Sequence, residues 1–103
     1  MIERSTGFAD VGGARLYYEV EGSGHPLVLL HAGIADCRMW DDQFSTFAER
    51  FRTIRFDLRG FGRSDLAIGP YSPREDLYAL LAYLEVERAH LVGVSMGGEQ
   101  IAR

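Results

Sequence analysis

In residues 14–21, Leu16, Tyr18 and Val20 fall on one side of a two-residue repeat, and Arg15, Glu19 and Glu21 fall on the other. That period predicts a β-strand with one apolar face. Residues 7–11 precede it across Gly12-Gly13, and two adjacent glycines supply the positive φ angles of a two-residue hairpin connection. Gly22-Ser23-Gly24 breaks the second strand. Leu27-Val28-Leu29-Leu30 then runs apolar without interruption, as expected of a parallel strand covered on both faces. The period next changes: Trp40, Phe44, Phe47 and Phe51 recur at helical spacing and predict an amphipathic helix over residues 38–50, its aromatic residues belonging to the core. Residues 52–57 predict a short strand, and residues 58–71, rich in glycine and turn formers, a loop. Ser72-Pro73-Arg74-Glu75 is a helix start, with serine as N-cap, proline at the first helical position and glutamate placed to close a capping box. Leu77, Leu80, Leu81 and Leu84 form the buried stripe of that helix. Residues 89–94 predict a last strand, and a helix opens at Met96.

This order predicts an α/β fold in one domain over residues 1–103: an N-terminal β-hairpin, then parallel strands joined by right-handed crossover helices on both faces of the sheet.

Composition narrows the function. The chain has 103 residues, of which 47% are hydrophobic and 25% charged, the make-up of a globular domain. All eleven basic residues are arginine and the net charge is −4, which excludes a P-loop lysine and argues against a nucleic-acid partner. Arg50, Arg52, Arg55, Arg59 and Arg63 are interrupted by Phe51, Ile54, Phe56 and Asp57, so they read as solvated or structural arginines. Cys37 is the single cysteine and excludes an internal disulfide. No apolar stretch approaches the roughly 20 residues that span a bilayer, so the expectation is a cytoplasmic protein without a membrane partner. His25, His31 and His90 show no ligand spacing, so no metal is expected. Gly60-Phe61-Gly62 lacks the third glycine and the following helix of a dinucleotide site.

The chemistry concentrates at Gly93-Val94-Ser95-Met96-Gly97, a G-x-S-x-G sequence straight after the last strand. Such a turn presents a serine on a sharp strand-to-helix bend, and the glycines are needed because a Cβ at either position would collide with the tightened backbone. The helix N-terminus beyond it offers unpaired N–H groups to an oxyanion.

Three motifs in this order resemble the N-terminal portion of an α/β-hydrolase of the serine-nucleophile branch: His31-Ala32-Gly33 after the third strand, Asp57-Leu58-Arg59-Gly60-Phe61-Gly62-Arg63-Ser64, and the elbow around Ser95. The resemblance implies that Ser95 is the nucleophile and that the backbone N–H groups of Met96 and Gly33 form the oxyanion hole. Ala32 stands where the family usually has glycine, which leaves Gly33 and Ile34 both open as donor. The resemblance also implies that His31 orders the oxyanion loop rather than acting as base, and that Asp57 holds a loop rather than orienting a histidine. His90, five residues before Ser95 on one strand, lies roughly 16 Å from it and is excluded as base. In the family the acid and the histidine follow the nucleophile, so both are expected beyond Arg103, with the lid. The chain is then a truncated sheet, nearly inactive alone. The implied activity is hydrolysis of a carboxylic ester, lactone or related acyl substrate through a Ser95 acyl-enzyme, without cofactor. A carbon–carbon hydrolase, a peroxidase-like branch and a non-catalytic ligand-binding member are the alternatives. A serine at position 95 argues against the epoxide hydrolase branch, whose nucleophile is a carboxylate. The oligomeric state is not legible.

Overall fold

The computed structural model describes residues 4–93. Its elements are β1 (Arg4–Val11), β2 (Ala14–Glu21), β3 (Pro26–Leu30), a 3-10 helix (Cys37–Trp40) running into α1 (Asp41–Ala48), β4 (Arg52–Phe56), α2 (Pro73–Tyr83) and β5 (His90–Gly93). They build one five-stranded sheet in the order β1-β2-β4-β3-β5. β3 lies parallel to both β4 and β5, while β2 is antiparallel to β1 and to β4.

The hairpin turns as its glycines predict, with Gly12 at φ +55° and Gly13 at φ +84° between the paired Val11 and Ala14. β1 begins at Arg4 rather than Gly7, because Arg4 is tied across the ladder to Glu21 by a 2.8 Å ion pair that no hydrophobic pattern records. The predicted helix over residues 38–50 divides. Asp36 caps it by accepting from the Arg38 N–H, and Met39 N donates to Asp36 O at 3.1 Å, a three-residue spacing that tightens the first turn into a 3-10 helix.

Helices cover both faces. On one face Val28 and Leu30 of β3, Ile54 and Phe56 of β4, and Leu16 and Val20 of β2 pack with Leu77 and Leu80 of α2 and with Val86. On the other, Leu27 and Leu29 meet Trp40 and Phe44. α2 starts where predicted: Ser72 Oγ accepts from Glu75 N at 3.2 Å, and Pro73 occupies the first turn. It closes through Glu85, which takes φ +59°, so that Val86 N reaches Leu81 O at 2.8 Å.

The polar face of β2 departs from the alternating reading. Glu19 and Glu21 are buried: β4 turns Arg55 toward Glu19, and Arg4 pairs with Glu21. The Arg55 guanidinium is 4% exposed; it donates to Glu19 at 2.7 and 2.9 Å, to Asp41 at 2.7 Å and to Cys37 O at 3.2 Å, and it lies 4.3 Å from the Phe44 ring centre. Buried charges persist only when paired and hydrogen-bonded, which this cluster achieves. Burial works to raise the Glu19 carboxyl, but the Tyr17 hydroxyl and Arg55 outweigh it and hold that carboxyl below its usual range. Tyr17, itself buried and bonded to Glu19, is pushed up to about 12.

Candidate active site

Parallel strands deliver their ends to one edge of the sheet. β3 ends at Leu30, which pairs with Gly93 at the end of β5, so the His31 loop begins at the sheet edge where β5 ends. Ser95 and Met96 lie outside the described residues, two and three positions beyond Gly93.

His31 is fully buried. The Leu58 N–H donates to its Nε2 at 2.9 Å. A backbone amide can only donate, so Nε2 carries the lone pair and the ring proton sits on Nδ1, 2.7 Å from Ala32 O, to which it donates. Phe61 packs edge-on against the ring at 5.3 Å between centres. Both ring nitrogens are committed to the backbone, one to each of two loops.

Ala32 O accepts a second bond, from Ala35 N at 3.1 Å, closing a turn over residues 32–35. The peptide bond is planar and trans, so fixing the Ala32 carbonyl also fixes the Gly33 N–H, which points the opposite way. Ala32 is not among the residues with positive φ, so its methyl group fits where a glycine would. Ile34 tops the turn and is 99% exposed.

Asp57, just past β4, holds two further backbone segments. Its Oδ1 accepts from Cys37 N at 2.7 Å and its Oδ2 from Arg63 N at 2.9 Å, and the residue is 2% exposed. Ser64 Oγ donates to Asp57 O at 2.6 Å and accepts from Tyr17 N at 2.9 Å. Arg59 forks onto Asp76 of α2 at 2.8 and 2.9 Å and reaches Val11 O at 3.2 Å. The segment from Asp57 to Ser64 thus fastens β2, α2 and the 3-10 helix together below the His31 loop. Sequence reasoning missed the Arg55 cluster and the contact of Met39 with Ala32; a charged residue amid strand-forming neighbours was the signal for the first.

A cleft of about 240 Å³ opens beside Asp57, lined by Tyr17, Glu19, Asp36, Cys37, Arg38, Gly62 and Arg63 as well. The Cys37 thiol in its wall is pushed far up by burial and by the neighbouring Asp57 charge, so it stays protonated and unreactive. His25 and His90 face each other at 4.6 Å between ring centres beside the start of β3, at the opposite edge from His31. Among the described residues no group of three or more His, Cys, Asp or Glu could hold a metal ion, and no helix is long and apolar enough to cross a membrane.

Comparison with known proteins agrees with this geometry. The family described as alpha/beta hydrolase fold matches residues 25–103. RutD of Azorhizobium caulinodans, named for carbamate hydrolysis, is 40% identical over 95 residues, covering 88% of this chain and 36% of the relative. The soluble epoxide hydrolase of a Corynebacterium is 33% identical over 93 residues, covering 87% of this chain and 32% of that one. The solved enol-lactonase of Burkholderia xenovorans superposes with a TM-score of 0.86 at 33% identity, over 91% of this chain and 39% of the other. The chain therefore spans about a third of the length of these relatives. With the family matched over residues 25–103, the chain belongs to the alpha/beta hydrolase fold family.

Proposed function

We propose that this chain carries the nucleophile and the oxyanion hole of a serine hydrolase acting on a carboxylic ester, lactone or related acyl substrate. The observation that supports the reading is the pairing of Leu30 with Gly93, the first residue of the G-x-S-x-G sequence, at the sheet edge where the His31 loop with its fixed Ala32 carbonyl begins. On this reading Ser95 Oγ attacks the acyl carbon while a base takes its proton. The developing oxyanion accepts from the N–H groups of Met96 and Gly33. Collapse expels the alkoxide leaving group, which takes the proton from the base, and water then cleaves the acyl-enzyme by the same path.

His31 serves as the ordering residue of the oxyanion loop. With His25 and His90 at the far edge and both nitrogens of His31 committed to the backbone, none of the three histidines of this sequence is the base on this reading. A 103-residue chain assayed alone is then nearly inactive, since loss of a triad member leaves only about 10³ to 10⁴ over water. The likeness to an epoxide hydrolase does not extend to the nucleophile, because residue 95 is serine where that branch needs a carboxylate. No cofactor is required by this chemistry.

The test is covalent labelling of the intact protein with a fluorophosphonate. A mass increase on the peptide containing Ser95, abolished in Ser95→Ala, is the expected result. An unlabelled wild-type protein overturns the reading.

A further inference from the structure

We infer that Met39 is a positioning residue for the oxyanion segment, its thioether sulfur holding the peptide that precedes Gly33. The inference rests on the serine-hydrolase reading above. The Ala32 N–H donates to Met39 Sδ at 3.2 Å. This bond fixes the peptide plane between His31 and Ala32 through its N–H, while His31 Nδ1 and Ala35 N fix the next plane through the Ala32 carbonyl. With both planes held, the φ and ψ of Ala32 have no freedom left, and the Gly33 N–H keeps one direction. Released at the first plane, the two would turn together as a crank and swing that N–H away. The bond also occupies the Ala32 N–H, which leaves Gly33 and Ile34 as the donors of the turn.

Met39 is itself anchored. Its N–H donates to Asp36 O at 3.1 Å, the preceding Cys37 N–H is held by Asp57, and the following Trp40 is buried in the core. The sulfur is thus the end of a rigid arm running from β4 through Asp57 and the 3-10 helix to the oxyanion loop. Packing alone does not account for the residue, since its side of the helix leaves it 38% exposed.

Leucine keeps the bulk and removes the acceptor; glutamine keeps an acceptor on a chain of similar length. In the intact protein, with p-nitrophenyl acetate as probe, Met39→Leu should lower kcat about tenfold with KM unchanged, and Met39→Gln should recover most of that loss. In parallel, amide hydrogen exchange at Ala32 should become about tenfold faster in the leucine variant and return toward wild type in the glutamine variant. Wild-type kcat and exchange in Met39→Leu, or glutamine performing no better than leucine, overturns the proposal. If fluorophosphonate leaves Ser95 unlabelled, the catalytic reading falls, and the Ala32 exchange rates still decide whether the sulfur holds the loop.

Discussion

The Asp57 carboxylate fills the space that a Cβ on Gly62 would occupy, and Gly62 holds φ at +51°. Position 62 is thereby closed to every other residue twice over, by sterics and by backbone conformation. Gly62→Ala should lose about 2 to 4 kcal/mol in urea unfolding, from left-handed strain plus displacement of a buried carboxylate that serves two amides. Asp57→Ala should cost a similar amount, and the double variant clearly less than the sum, because the first change vacates the space the second one needs. Strict additivity would show that the two do not compete for that space.

His31 should appear in nitrogen NMR as the Nδ1–H tautomer, with Nε2 unprotonated, because the Leu58 N–H occupies the latter. Detection of a proton on Nε2 would contradict the geometry. His31→Leu should cost about 1 to 3 kcal/mol, the penalty of an unsatisfied buried amide, and should loosen both loops that the ring joins.

Arg59 and Asp76 form a forked pair with side chains 10% and 8% exposed. Removing one partner strands the other charge, so Asp76→Ala should destabilise by about 3 to 5 kcal/mol. Arg59→Lys should also fail to restore stability, since a single ammonium cannot fork onto the carboxylate and reach Val11 O as well. A thermal midpoint for Arg59→Lys equal to wild type would refute the bidentate account.

Asp36 sets an acid limit. Hydrogen bonds from the Arg38 side chain hold its carboxyl down to about 2, with the Arg38 N–H adding to the effect. A carboxyl lowered on folding contributes stability above the ordinary aspartate range near pH 4, and that contribution is lost as pH falls through about 2. Arg38 is 77% exposed, so solvent screening keeps the gain small. Asp36→Asn should therefore be less stable than wild type at pH 7, converge with it between about pH 5 and pH 1, and match it below. A difference that persisted unchanged at pH 2 would assign the effect to packing instead.

Much of this arrangement was legible from residue order. The paired glycines placed the hairpin, the run from Leu27 to Leu30 placed the doubly covered strand, and Ser72 with Pro73 fixed the start of α2, because each is a local rule whose cause lies within a few residues. What escaped was set by distant partners. β2 looked half-solvated until β4 brought Arg55 against Glu19, a contact between positions 36 apart in sequence. The 3-10 turn before α1 carries no mark in the hydrophobic pattern, since its tightness comes from Asp36 and from Asp57 holding Cys37 N. At the site, His31 was identifiable by its motif, but its tautomer depended on Leu58, and the sulfur contact of Met39 had no sequence signature at all.

The guanidinium at position 55 ties a hairpin strand, a central strand and a helix start into one ionic knot. Such a knot is hard to exchange piecemeal. A homologue whose residue 55 is apolar should also have shed the acid at 19, because any intermediate with only one change leaves one member of the buried pair without the other. Positions 19 and 55 are therefore expected to covary among related sequences. Chimeras that splice the hairpin of one relative onto the sheet of another should tolerate the junction only when the two parents carry matching residues at positions 19 and 55.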